Sequence, residues 1–170
     1  MALDRQDSPY RRGTRYEMFP IPMVAEHCIP VDAGAVQLVV ESRQLTNAIL
    51  DETYGTAVQH DVTFDDGGAT LHVCGTADGV EHLRFDCFEG EPHYHYLHQP
   101  DGGNTVVRID EVAVGDPLEF TLACVGDQLP AMLRYSGATS LADAVEPTRV
   151  RAAMTEVRAL MEQAAQPVSR

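Results

Sequence analysis

The stretch Arg84-Phe85-Asp86-Cys87-Phe88-Glu89-Gly90-Glu91-Pro92-His93-Tyr94-His95-Tyr96 decides how this chain is read. A Glu-Gly-Glu-Pro loop separates two runs rich in aromatic residues, with histidine and tyrosine alternating in the second. That pattern marks two strands joined by a connection, not a helix. Working outward, Ala77-Asp78-Gly79 is a tight turn into a strand over Val80–Phe88, and Asp101-Gly102-Gly103-Asn104 turns the chain into Thr105–Ile109. Upstream, Thr56–Phe64 and Ala69–Gly75 read as strands joined by a hairpin at Asp65-Asp66-Gly67-Gly68. A β-branched run lies over Ala35–Glu41, and a helix-like turn over Leu45–Leu50.

Beyond residue 115 the period changes from 2 to 3.6. Asp116-Pro117-Leu118-Glu119 is a helix start, with Asp at the cap, Pro at the first turn and Glu three residues on. Leu118, Leu122, Val125, Leu129, Met132 and Leu133 form an apolar stripe that Gly126 and Pro130 could split, and Gly137 is a stop. Glu146-Pro147 opens a last helix whose stripe is Val150, Met154, Val157, Leu160 and Met161. Strands first and helices later define an α+β fold: an antiparallel β-meander over about residues 35–109, covered by helices at about 117–135 and 147–164. Residues 1–33, rich in Pro, Arg and Tyr, read as an N-terminal arm, and residues 34–166 as one domain.

The chain has 170 residues, 44% of them hydrophobic, which suits a single core. Its 12 basic residues are all arginine, and 26 acidic ones bring the net charge to −14. Without lysine there is no Schiff-base chemistry and no lysine-capped phosphate loop. The acidic balance argues against nucleic acid as a partner. No stretch suits a signal peptide or a membrane span, so the expectation is a cytoplasmic protein with no membrane partner. Cys28, Cys74, Cys87 and Cys124 are scattered and read as free, mostly buried thiols.

The reactive chemistry concentrates on the same opening stretch. His93 and His95, at i and i+2 on a strand, share a face and can close on one divalent ion. With Asp78-Gly79 as a two-residue turn and Phe88–Pro92 as a five-residue loop, His72, Phe85 and His95 fall in one row, with Cys87 and His93 in the next. That register offers His72, His93, His95 and Cys87 as ligands for one transition metal, zinc or iron. It places Arg84, Asp86, Tyr94, Tyr96 and His98 on the opposite face. There Asp86 would orient a histidine or act as a base, and Arg84 would clamp a substrate carboxylate. Tyr94, Tyr96 and His98 would line the ligand. The competing reading is a half-buried sheet with hydrogen-bonded histidines and an Arg84–Asp86 pair of little energetic weight. A one-residue slip in either hairpin redistributes these sets, but leaves His93 and His95 together.

The segment RFDCF…PHYHY, within roughly residues 80–109, resembles a signature of small uncharacterised bacterial proteins of actinobacterial type. That resemblance implies that the strand pair belongs together, and it implies no activity. The HxH pair is locally similar to cupins and carbonic anhydrases, but the later cupin glutamate and histidine are missing at fitting spacings. The expected function is a small enzyme performing metal-assisted lyase, hydrolase or isomerase chemistry on a polar, carboxylated metabolite. The alternative is a non-catalytic ligand-binding or accessory protein using the same sheet face. A small-molecule ligand is the expected partner, with a homodimer the other candidate for covering the last helix.

Overall fold

The computed structural model describes residues 12–55 and 63–166. Its strands are β1 (Thr14–Tyr16), β2 (Cys28–Ala33), β3 (Val36–Thr46), β4 (Asp65–Gly75), β5 (Glu81–Phe88), β6 (His93–His98) and β7 (Gly103–Arg108). Its helices are α1 (Asn47–Tyr54), α2 (Glu111–Val114), α3 (Pro117–Ser136), α4 (Thr139–Ala144) and α5 (Pro147–Ala164), with a 3-10 turn at Ala25–His27. Strands β2 to β7 form a sequential antiparallel meander, and β1 pairs with β7 at the far edge. The fold class is therefore α+β, as the sequence pattern indicates.

Alternation divides the sheet into two unlike faces. Leu38, Val40, Leu71, Val73, Leu83, Phe85 and Tyr96 point to one side, where Leu122, Val125, Leu129, Leu133, Val157 and Met161 of α3 and α5 pack on them. Helix α3 begins as its sequence indicates: the Asp116 carboxylate accepts the Glu119 N–H at 3.0 Å. It ends at Gly137, whose φ of 95° is a left-handed cap. Neither Gly126 nor Pro130 splits it, and α3 runs unbroken for 20 residues. Helix α5 closes the layer over β2, β3 and β4. Met161 is fully buried there, so Met161→Ala is expected to lower unfolding free energy by about 2–5 kcal/mol in urea titration. A loss well below 1 kcal/mol would mean that α5 is only loosely attached.

The other face is polar, and the N-terminal segment covers it. Because β1 and β2 occupy opposite edges of the sheet, residues 17–27 must cross its width. Arg84 Nη1 and Arg43 Nη2 donate to the Ile21 carbonyl at 2.7 and 3.1 Å, and Asn104 Nδ2 donates to Met18 O. The Glu41 carboxylate accepts the Val24 N–H at 2.9 Å, and the Tyr54 hydroxyl on α1 donates to Phe19 O at 3.0 Å. The strap is thus tied down through its own backbone, by long polar side chains rising from the sheet.

Two expectations are corrected. Asp65–Gly68 is not a hairpin turn but the first part of β4, paired with Arg43–Thr46 on β3. The glycines serve close strand approach: a Cβ on Gly67 would lie 2.4 Å from Arg43 O, and one on Gly68 (φ 152°) 2.6 Å from Cys87 O. Most of the strand expected at Thr56–Phe64 lies outside the described residues; Thr63 and Phe64 are not in a strand. The helical turn at 45–50 begins later, at Asn47, because β3 continues to Thr46. Among the described residues no helix is long and apolar enough to cross a membrane.

Candidate metal centre

Both hairpin registers differ by one residue from the expected ones. A bulge between Val73 and Cys74 shifts β4 against β5, so His72 faces Arg84. In the next hairpin Asp86 faces His93 and Arg84 faces His95. The Asp66 carboxylate draws that loop in by accepting the backbone N–H groups of Gly90 and Glu91 at 2.9 and 2.8 Å. These slips exchange the two faces of β5. Arg84 and Asp86 join the histidines on the polar face, while Cys87 turns to the helices, against Pro117 O and Thr121 Oγ1. Cys87 is thus separated from the metal set proposed for it, and burial pushes its thiol up to about 12.

His93, His95 and Asp86 converge. Their ligating atoms lie within 4.8 Å of one another. Asp86 Oδ2 is 3.3 Å from His93 Nε2 and 3.1 Å from His95 Nε2. Metal–ligand bonds of about 2.1 Å at angles between a right angle and the tetrahedral value leave neighbouring donor atoms about 3.0–3.4 Å apart. The spacing fits.

The outer atoms of the site are already committed. His93 donates its Nδ1–H to the Glu91 carbonyl at 2.7 Å, since a carbonyl can only accept. Asn104 donates to Met18 O, so its Oδ1 faces His95 and accepts the Nδ1–H at 2.9 Å. Asp86 Oδ1 accepts the Thr70 hydroxyl at 2.6 Å. Both Nε2 atoms and one carboxylate oxygen therefore point at a common place, where their lone pairs would repel one another. A cation must sit among them, whether a proton on an imidazole or a metal ion. Such outer partners, which set the tautomer and the ring plane, are what ligating histidines ordinarily have. Burial alone would raise the Asp86 carboxyl, but bonds from His93 and His95 hold it well below the usual carboxylate range. Burial disfavours the His93 cation; the bond to Asp86 outweighs that and raises its pKa.

His72 shares this face but belongs to a neighbouring network. Its Nδ1 lies 2.6 Å from Glu81 Oε1 and its Nε2 2.8 Å from Glu41 Oε2. A neutral ring has one N–H, so two carboxylate partners call for the imidazolium. Burial opposes that charge, yet the bonds to Glu41 and Glu81 raise the His72 pKa. With both nitrogens occupied, His72 does not join the metal set. Arg84 is likewise engaged: Nε and Nη2 donate to the two Glu81 oxygens at 2.8 Å each, and Nη1 goes to the strap. The expected carboxylate clamp therefore already holds a carboxylate of the protein itself.

The three residues expected to line a ligand lie on the helix-covered side, because even-numbered positions of β6 face that way. Tyr94 stacks on Phe85 with ring centroids 5.5 Å apart, Tyr96 is buried against Tyr135, and His98 Nε2 bonds Thr105 Oγ1 at 2.8 Å. Thr70, Asn104, Glu41 and Glu81 were not singled out from sequence. His27, in the N-terminal arm beside Cys28, is exposed and is not among the converging residues.

Above the centre, strap and α1 line an open pocket of about 230 Å³. Arg84, Asp86, His93, His95 and Asn104 form its floor, and Met18, Phe19, Ile21, Leu45, Leu50 and Tyr54 its walls. Arg43 also lines it, and the buried Arg43 Nε has no partner among the described residues.

Fold and site together define a small α+β protein with a strapped carboxylate–histidine centre on an antiparallel sheet. The chain belongs to the family described as Domain of unknown function (DUF7700), which matches residues 30–161. The matched span carries Asp86, His93 and His95, whereas the strap precedes it. No curated protein and no solved structure matches the chain.

Proposed function

We propose that the protein is a small metal-dependent enzyme in which Asp86, His93 and His95 hold one divalent ion, zinc or iron, beneath the strap. The observation that supports this most is the convergence of three ligating atoms, each fixed by an outer partner, at the floor of a pocket. Two imidazoles and one carboxylate on one side of an ion leave its other positions open to water and substrate. The ion would polarise a substrate oxygen or lower the pKa of a bound water, which serves lyase, hydrolase or isomerase chemistry. The chain's own part is to keep the three donors in register through Thr70, Asn104 and the Glu91 carbonyl. The strap then screens the reacting centre from bulk water.

Metal titration at several pH values tests this reading. Each histidine must be neutral at Nε2 to bind, and the His93 pKa is raised by Asp86. Protons therefore compete already above the ordinary imidazole value of about 6.5. Affinity is expected to fall as pH drops through that range, with proton release on binding. An affinity independent of pH between about 5 and 8 would place the ion elsewhere.

A further inference from the structure

The cavity also constrains what can bind above the ion, and this inference rests on the metal reading. Much of its polar floor is already committed within the protein. Arg84 donates through Nε and Nη2 to Glu81 and through Nη1 to Ile21 O, Asn104 bonds His95 and Met18 O, and the Tyr54 hydroxyl donates to Phe19 O. Arg43 is paired with Glu41 at 2.8 Å and with the strap carbonyls, leaving only Nε without a partner. The remaining walls are apolar side chains. A second carboxylate or a set of sugar hydroxyls placed there would exchange water for mostly apolar contacts, with few protein donors in return. The ion is different: Asp86 brings one negative charge to a divalent cation, and one positive charge is left for a ligand to meet. About 150 Å³ of apolar cavity suffices for benzene. The 230 Å³ found here accommodates one ring with a short substituent.

We propose that the substrate is a small, largely apolar molecule, with a single ring or a branched aliphatic body and one monoanionic oxygen head that binds the metal. This replaces the polar, carboxylated metabolite that an arginine clamp at Arg84 would have selected. Selection then works by apolar shape in the strap cavity, with Leu45 and Leu50 among its walls.

Three hydroxamates that share one metal-binding head separate these possibilities when titrated into zinc-loaded protein. Benzohydroxamate carries a ring, acetohydroxamate a methyl group, and succinic monohydroxamate a second carboxylate. Benzohydroxamate is expected to bind at least about tenfold tighter than either of the others. Leu45→Trp, which fills the cavity, should erase that advantage while leaving acetohydroxamate and zinc affinity unchanged. Leu50→Phe serves the same purpose if the tryptophan variant does not fold. Equal binding of all three, tightest binding of the succinic compound, or an advantage untouched in a folded variant would each overturn the proposal. Fluorine NMR of 4-fluorobenzyl alcohol with metal-free protein separates the two readings. A chain that takes up no metal but binds this alcohol, and loses it in Leu45→Trp, sinks the metal reading and leaves the apolar cavity standing. A chain that takes up zinc but shows no preference for the ring sinks the substrate proposal alone.

Discussion

His95→Ala is expected to weaken zinc binding by at least about 100-fold, more than loss of an outer partner of the site, which typically costs 10–100-fold. His95 supplies one of only three ligating atoms, and its Nε2 stands 3.1 Å from Asp86 Oδ2. The fold should survive the change. Asp86 keeps the Thr70 hydroxyl at 2.6 Å and His93 at 3.3 Å, so its carboxylate is not stranded. Isothermal titration on wild type and variant, with circular dichroism as the folding control, reads both effects. If the variant bound zinc as tightly as wild type, the ion would lie outside this centre. If it unfolded instead, with no metal to lose in wild type, the histidines would be structural.

Replacing Glu81 with leucine is expected to lower stability by about 3–5 kcal/mol, the cost of leaving a buried charge without its partner. Glu81 is the hub of the second network: it receives His72 at 2.6 Å and both arms of the Arg84 fork at 2.8 Å. Arg84 is 2% exposed and His72 not at all, so water cannot replace the lost carboxylate. Adding Arg84→Met to the leucine variant should recover part of the loss, since it removes the orphaned charge.

The same network sets a pH window. Burial alone would raise the Glu81 carboxyl, but Arg84 and His72 pull it down to about 2. Its contribution is therefore present above the ordinary carboxylate value of about 4.3 and is lost as pH falls toward 2. The raised His72 pKa acts in the opposite sense: its contribution is complete below about 6.5 and is lost as pH rises through the higher folded value. Urea titrations should show this stabilisation at its fullest between about pH 4.5 and 6.5. A Glu81→Leu loss under 1 kcal/mol would mean that the carboxylate is solvated and the network inert.

The parts of the molecule written locally were legible in the sequence. Asp116-Pro117 and Gly137 bracket α3 because caps depend on neighbouring backbone groups. The shared face of His93 and His95 follows from strand alternation alone. Register was not legible, because it turned on a bulge at Val73/Cys74 and on Asp66 clasping the 89–92 loop from 24 and 25 residues away. One residue of slip was enough to bring Asp86 to the histidines and take Cys87 away from them. Gly67-Gly68 has the composition of a turn, yet it lets β3 and β5 approach β4 closely. The contacts that hold the strap were invisible for another reason. Arg43, Arg84 and Asn104 grip the strap through its backbone carbonyls, and every residue but proline brings the same N–H and C=O to such a bond.

The most direct test is the metal content of the wild-type chain, purified without added metal and measured by elemental analysis, then titrated with zinc, nickel and iron. About one tightly held transition metal per chain, or one equivalent taken up at micromolar concentration and lost in His95→Ala, is the expected result. A metal-free protein that binds none of the three at micromolar levels would contradict the centre at Asp86, His93 and His95.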